Sequence, residues 1–517
     1  MAPTDDSFFE IPERFNMADY FLDARLREGK GERVAVRVGE DSYSYAAVQE
    51  RANRAHSALS SRGIDVEDRV LILLPDGIEF VDAWFGTLKA GAVFCMGNPL
   101  VPQADMEYLL GYTRARAVIA HASTLDRLGP ALANHPRCRA RFVVGGEADG
   151  FEEWEGALAA ADAGLANADT GRDDVAGWLF TSGTTGKPKG AVHFHGDFAW
   201  NTERYAKGVL GLREDDVFVS VSRLFFGYAT GTNLMFPFAV GGTSVLFPEK
   251  PRADLLFDQV EKHGVTVLTN VPAMIRMMVD SEREPDLSSL RMSLSAGEAL
   301  PAELYARWKA RWPNSEILDG IGSAEMFHIY ITNYPGDVKL GSLGKRVPGY
   351  ETRIVGADGN DVAEGEVGRL WIKGRSKAQC YFGDKTKSEA TFVGEWTVSA
   401  DLFRSDAEGY YYYAGRGDDM LKVRGMFVSP LEIEDCLAKH PAVKECAVVG
   451  ADDGEGLTIP KAFVVLREGH EAGDELAADL QNHVKTTLAK YKFPRAVAFL
   501  DALPRNDRGK IVRRELQ

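Results

Sequence analysis

Phe180-Thr-Ser-Gly-Thr-Thr-Gly-Lys-Pro-Lys-Gly190 places three glycines, four hydroxyl residues and two lysines in eleven positions. Glycines allow a backbone turn that points successive amides inward, which makes an anion-binding nest. Thr181, Ser182, Thr184 and Thr185 add hydroxyl donors, Lys187 and Lys189 add charge, and Gly183 and Gly186 supply the turn. A plain flexible loop rarely carries donors at this density, so the segment reads as a grip on polyphosphate. It is not the helix-capping loop GxxxxGK[ST]. Only two residues separate Gly183 from Gly186, and Pro188 after Lys187 disfavours helical geometry there. The flanking runs Ala176–Phe180 and Ala191–Phe194 read as strands, so the loop is expected to join strands rather than to open a helix.

Outward from the loop, short apolar runs alternate with amphipathic stretches. Arg69–Leu74, Ala117–Ala120, Arg141–Val144, Val265–Leu268 and Arg291–Ser295 read as strands. Glu79–Ala90, Pro272–Asp280 and Pro301–Trp312 read as helices. That alternation predicts an α/β fold with parallel sheets covered on both faces. From about Gly341 glycine-punctuated strands such as Gly368–Lys373 predict a smaller β-rich subdomain. Beyond Gly415-Arg-Gly-Asp-Asp419 a compact α+β module is expected, with helices over Pro430–His440 and Asp474–Leu488 and strands over Ala447–Val449 and Ala462–Leu466.

The 517 residues exceed what one core usually organises, and the formal net charge of −16 argues against a general nucleic-acid or anionic-membrane binder. The N-terminal MAPTDDSFFEIPERFN lacks the basic-then-apolar order of a signal peptide, and no apolar run reaches membrane-spanning length. Cys95, Cys138, Cys380, Cys436 and Cys446 show no CxxC pair and read as buried, reduced thiols of a cytoplasmic protein. From Lys485 to Gln517 nine Lys/Arg stand against three Asp/Glu. This is either a solvated basic tail or a wall facing polyphosphate.

TSGTTGKPKG, with the ordered motifs that follow it, resembles the adenylate-forming superfamily of acyl- and aryl-CoA synthetases, luciferases and peptide-synthetase adenylation domains. Asp319-Gly-Ile-Gly-Ser-Ala-Glu325 resembles the family's [ND]xYGxTE. The resemblance makes Glu325 a Mg²⁺ ligand and places Asp319, with Gly320 and Ile321, against adenine. Ile321 stands where an aromatic is usual, which resembles the benzoate-type subgroup. Ala324 replaces the threonine that commonly meets the α-phosphate. Ser295-Ala-Gly-Glu-Ala299 resembles the strip lining the adenine and acyl pockets, which implicates Ala296, Gly297 and Glu298. Val398-Ser-Ala-Asp401 matches [ST]GD, whose aspartate chelates the ribose, with Ala400 at the usual glycine. Arg416 resembles a second ribose or phosphate contact. Asp418 falls at the family's hinge, which divides an N-terminal domain, 1–417, from a mobile C-terminal domain, 418–517. Pro504-Arg-Asn-Asp-Arg-Gly-Lys510-Ile-Val-Arg-Arg resembles the terminal signature with the catalytic lysine, a residue that bare sequence would read as solvent decoration.

The resemblance implies an ATP- and Mg²⁺-dependent ligase that makes an acyl-adenylate and passes the acyl group to coenzyme A. Lys422, Arg424 and Gly425 would meet CoA after rotation of the small domain. Leu224-Phe-Phe-Gly-Tyr-Ala229 matches the benzoate-type acyl motif with Phe226 as its gate. Gly227, Tyr228, Ala229, Ala296, Ile321, Gly322, His328 and Ile329 would line a pocket for a flat ring. His328 is as readily a structural histidine as a substrate contact. The expected acid is benzoate, 2-aminobenzoate or a hydroxybenzoate, taken up by a monomer or homodimer. No carrier domain follows the motifs before Gln517, so free CoA is expected ahead of a carrier protein as acceptor. A silent nucleotide-binding regulator is the other alternative.

Overall fold

The protein, described as a computed structural model, is placed over residues 9–182, 187–298, 300–417, 421–423, 426–452, 458–489, 492–505 and 511–516, the side chains of Ser182, Lys422, Met426 and Phe427 apart. It divides into two compact units, residues 1–351 with 373–397 and residues 352–372 with 398–517. The 417/418 division expected from the sequence therefore falls within the second unit.

The first unit holds two sheets. Seven strands in one run in the spatial order Glu152–Glu153, Ala140–Val144, Ala117–His121, Arg69–Leu73, Val93–Met96, Val175–Ser182 and Pro188–Phe194. All neighbours are parallel except the last pair, which is antiparallel. The central strands are almost wholly apolar and buried, as a sheet covered on both faces requires. The nine-stranded sheet has a parallel centre, from Val34–Val38 through Thr243–Leu246, Val217–Ser220, Val267–Asn270 and Met292–Ser295 to Glu316–Gly322. Its two edges are antiparallel: Asp41–Ser44 on one side, Ile329–Thr332 and Lys345–Arg346 on the other.

Helix boundaries follow local chemistry. Ser44 caps Tyr45–Ser60 by accepting the Ala47 amide at 3.2 Å, and Gly264 at φ +63° ends Ala253–His263. Most predicted elements appear with ends shifted by a few residues. The strand expected at Val265–Leu268 is Val267–Asn270, and the helix expected to reach His440 stops at Leu437. The short strands at 34–38, 41–44 and 93–96 are additions to the elements expected from the sequence.

In the second unit Glu351–Val355, Gly368–Lys373, Trp396–Ser405 and Tyr411–Arg416 belong to one sheet, as the β-rich reading expects. Further on, Val443–Asp452, Thr458–Leu466 and Ala496–Phe499 form a three-stranded sheet whose core includes Ile433, Leu437, Leu480 and Val484 from the helices Pro430–Leu437 and Asp474–Thr487. All five cysteines are free. Cys95, Cys138 and Cys436 are buried as expected, whereas Cys380 and Cys446 are only half buried.

Gly86 lets two helices of the first unit meet. A Cβ there would lie 2.4 Å from Ala55 Cβ and 3.1 Å from the Ala55 backbone, which cannot retreat. Gly86→Val should therefore destabilise the fold by about 1–3 kcal/mol through overpacking. Chemical denaturation against Gly129→Val, whose site has nothing within 4 Å, checks this.

Candidate active site

The phosphate-loop reading rests on its two flanks. Val175–Ser182 and Pro188–Phe194 pair antiparallel, with Phe180 opposite Gly190, Thr181 opposite Lys189 and Ser182 opposite Pro188. The strands reach further into the motif than expected, so Thr181 and Lys189 are strand residues. Gly183, Thr184, Thr185 and Gly186 lie outside the described residues. Lys187 is half exposed, 3.2 Å from Asp105 and over the Tyr108 ring, while Lys189 pairs with Asp384 at 3.0 Å. Close packing fixes the returning strand. The Tyr108 hydroxyl donates to Pro188 O at 2.8 Å, and the segment 379–382 adds hydrogen bonds to Gly190 and Val192.

That same segment reaches the second motif. The strand Glu316–Gly322 runs into a 3₁₀ turn, Ala324–Met326. There the Tyr381 hydroxyl donates to Glu325 Oε1 at 2.5 Å, and the Ala378 amide donates to the Glu325 carbonyl at 2.8 Å. Motif reading misses Tyr381, because only tertiary pairing brings it to Glu325. Burial, reinforced by Glu325, pushes its phenol above the usual range, so it stays a donor. Glu325 is half exposed. One carboxylate with lone pairs left over suits Mg²⁺, which takes few protein oxygens and keeps phosphate and water ligands.

After the turn the chain doubles back. Phe327 takes φ +67° and ψ −60°, and the His328 amide donates to the Met326 carbonyl at 2.9 Å. This γ-turn buries His328. Its Nε2 faces the Tyr228 carbonyl at 3.1 Å, and the two rings stack with centroids 5.4 Å apart. Tyr205 and Phe236 complete an aromatic cage around it. The cage needs Gly231, where a Cβ would lie 2.4 Å from His328 Cδ2, and Gly322, where one would lie 2.5 Å from the His328 carbonyl. Burial lowers the imidazole to about 4, so the ring is neutral at physiological pH.

At this cage two polar atoms are buried with no hydrogen-bond partner among the described residues: Tyr228 OH and His328 Nδ1. Buried polar groups are ordinarily paired, each unpaired one costing about 1–3 kcal/mol. Ser295 and Asp319 sit opposite each other on neighbouring parallel strands, and Ala296, also buried, follows directly. Gly297 takes φ +94°, a backbone that favours glycine, and Glu298 is half buried beside it. Gly320 and Ile321 pair with Thr332 and Ile331 across the sheet edge. Phe226 precedes the short helix Gly227–Thr230, which carries Tyr228 and the fully buried Ala229, and Ile329 is buried at the start of its strand. The predicted acyl and adenine residues of the first unit thus lie on or directly beside three neighbouring strands and one short helix.

The second unit brings together its own pair. Asp401 and Arg416 are directly opposed across antiparallel strands, and Asp401 exchanges hydrogen bonds with Ser399. Lys422 lies in the strand Leu421–Val423, paired with Met426–Val428. Asp418, Arg424, Gly425 and Lys510 lie outside the described residues. Among the described residues, none of the predicted site residues lines the surface cleft of about 780 Å³ near Phe9, Tyr20 and Arg25, whose Arg27, Lys207 and Arg14 are already paired with Asp19, Glu203 and Asp169.

Burial pushes the Asp319 carboxyl from an ordinary 3.8 up to about 7. The folded chain therefore holds a proton that the unfolded chain releases. That stability is complete below about pH 4 and drains away as pH rises through 7. Asp319→Asn, permanently neutral, should raise the melting temperature more at pH 8 than at pH 5; an equal gain at both would contradict this.

Comparison with known proteins agrees with this geometry. Residues 22–382 match the family model described as AMP-binding enzyme, and residues 432–510 match that of the AMP-binding enzyme C-terminal domain. The chain is 42% identical to the benzoate–CoA ligase of Thauera aromatica, over 98% of this chain and 97% of that protein. It is 38% identical to the 4-hydroxybenzoate–CoA/benzoate–CoA ligase of Rhodopseudomonas palustris, over 96% and 93%. Among solved structures it superposes on the anthranilate CoA ligase AuaEII in complex with anthranoyl-AMP with a TM-score of 0.92 at 36% identity, covering 98% and 97% of the two chains. A benzoate CoA ligase from Burkholderia xenovorans LB400 gives 0.90 at 41% identity, covering 97% and 99%. With both family models matched in order along a chain that also carries the loop, the Glu325 turn and the aromatic cage, this protein belongs to the AMP-binding enzyme family.

Proposed function

We propose that the protein is an ATP-dependent aryl-CoA ligase acting on benzoate or a benzoate with a small substituent such as an amino or hydroxyl group. It activates the acid as an aroyl-adenylate, releases pyrophosphate, and transfers the aroyl group to coenzyme A with release of AMP. The observation that carries the reading is the flat pair of stacked rings Tyr228 and His328, seated against Gly231 and Gly322, with the Tyr228 hydroxyl and His328 Nδ1 buried and unpartnered among the described residues. Such a cage suits a planar ring better than a flexible alkyl chain. The family membership and the full-length likeness to aryl-CoA ligases support the same reading.

A carboxylate is a poor acyl donor because oxide leaves badly, and the adenylate makes AMP the leaving group. In the first half-reaction the carboxylate oxygen attacks the α-phosphorus of ATP, and the bond to pyrophosphate breaks. Both reactants are anions, so positioning and charge neutralisation carry the catalysis, and no general base is required. In this reading Thr181, Lys187, Lys189 and their loop hold the departing phosphates. Glu325 holds Mg²⁺, which when bound neutralises phosphate oxygens. Asp319 and the strip at Ala296 bind adenine, Asp401 and Arg416 bind ribose, and Lys510 bridges carboxylate and α-phosphate. In the second half-reaction the thiol of CoA attacks the aroyl carbonyl and AMP departs. We take 1–417 and 418–517 as the functional division, with rotation about Asp418 exchanging Lys510 for Lys422, Arg424 and Gly425. The neutral His328 adds no charge to the pocket, which suits an uncharged ring. The proposal places the enzyme in the cytoplasm, with which its five free cysteines are compatible.

Pyrophosphate release measured across benzoate, 2-amino-, 2-hydroxy- and 4-hydroxybenzoate and hexanoate should favour an aromatic acid; preference for hexanoate sinks the reading. Thioester should form with CoA alone, without a carrier protein. Lys510→Ala should lower adenylation by about 10²–10³-fold while leaving CoA able to consume pre-made aroyl-adenylate. Loss of both halves, or of neither, overturns the role given to Lys510.

A further inference from the structure

The turn between the adenine and acyl regions is held one carbonyl at a time. Ala324 O accepts from His193 Nε2 at 2.7 Å, Glu325 O from the Ala378 amide at 2.8 Å, and Met326 O from Ser376 Oγ at 2.9 Å as well as from the His328 amide. A γ-turn with positive φ at a bulky residue such as Phe327 is strained and persists only where its surroundings over-determine it. His193 supplies the first of these restraints. It is fully buried in the strand that returns from the phosphate loop.

A carbonyl oxygen only accepts, so Nε2 is assigned the proton. The ring's other nitrogen, Nδ1, lies 3.0 Å from Asp197 Oδ2, a hydrogen bond that takes a second proton, carried by Nδ1 or by the carboxyl. That carboxylate is itself fixed, because it also accepts the Phe194 amide at 3.0 Å, and it is 5% exposed. A histidine whose second nitrogen is tied to a carboxylate is locked in orientation. The Phe198 ring packs against both His193 and Phe327, closing the space in which the imidazole could turn.

We propose that His193, oriented by Asp197, is a positioning residue for nucleotide binding: its Nε2–H fixes the Ala324 carbonyl and so aims the Glu325 carboxylate at the phosphates. This rests on the reading of Glu325 given above. It also ties the strand Pro188–Phe194 to the turn that carries Glu325, since His193 lies in that strand and bonds the Ala324 carbonyl. Ala324 lacks the hydroxyl usual at its position, so here backbone placement carries more of the task.

The test compares His193→Leu, which keeps bulk but removes the donor, with His193→Gln, whose amide can place a donor near the Nε2 position. Binding of α,β-methylene-ATP with Mg²⁺ is measured by calorimetry, alongside KM values for ATP and benzoate and the melting temperature. His193→Leu should weaken analogue binding and raise KM for ATP about tenfold, with the benzoate KM changed less than about twofold, and His193→Gln should recover most of the loss. If analogue affinity is the same in all three proteins, the proposal fails while the ligase reading stands. If both variants lose melting temperature and active fraction alike with unchanged KM values, His193 is a core residue only and the proposal fails. If the unaltered protein does not bind the analogue at all, the function reading falls and takes this proposal with it.

Discussion

The strained reversal at Phe327 is the constraint on which the rest of the site depends. It turns the chain sharply enough that Glu325, half buried, and His328, fully enclosed, lie three residues apart yet sit in different surroundings. A γ-turn there is unfavourable in isolation. Its surroundings make it stable. Donors from the hairpin, from Ser376 and from Ala378 take up every carbonyl from Ala324 to Met326, and Phe198 packs against the Phe327 ring. Strain at this point therefore couples the phosphate hairpin, the 376–382 segment and the aromatic cage into one unit.

That coupling suits the chemistry. The reaction joins two anions, so the groups that neutralise charge must be fixed relative to the groups that hold the acid. The Tyr381 hydroxyl and the Glu325 backbone hydrogen bond restrain the carboxylate from two directions. The imidazole of His328 is restrained by the Tyr228 carbonyl and by three aromatic neighbours, and burial keeps it uncharged. In the proposed reading such a neutral ring serves as a surface for a flat substrate rather than as a second acid or base.

What local spacing controls is legible in the sequence. The spacing of Gly183 and Gly186, with Pro188 after Lys187, is enough by itself to exclude a helix-capping loop, and the antiparallel pairing of Thr181 with Lys189 agrees with strands on both sides. Apolar runs such as Arg69–Leu73 announce a covered parallel sheet because burial on both faces leaves no polar alternation. Asp319, Glu325, Tyr228 and His328 can be named from ordered motifs. What stays hidden depends on contacts between distant segments. Tyr381 meets Glu325 from 56 residues away and His193 meets Ala324 from 131 away, and neither residue type nor local period carries that information. Asp401 and Arg416 come from separate motifs, and that they stand directly opposite each other is a matter of register.

In the proposed reading an aryl ring binds against Tyr228 and His328 beside the Phe327 reversal while Glu325 meets the phosphates. A crystal structure of the protein with a non-hydrolysable aroyl-sulfamoyl adenosine tests it most directly. The expected result is the ring against Tyr228 and His328, adenine beside Asp319 and Ala296, and the Phe327 γ-turn retained. An aryl ring bound away from Tyr228 and His328, or a turn that relaxes to negative φ at Phe327 when the ligand binds, would contradict it.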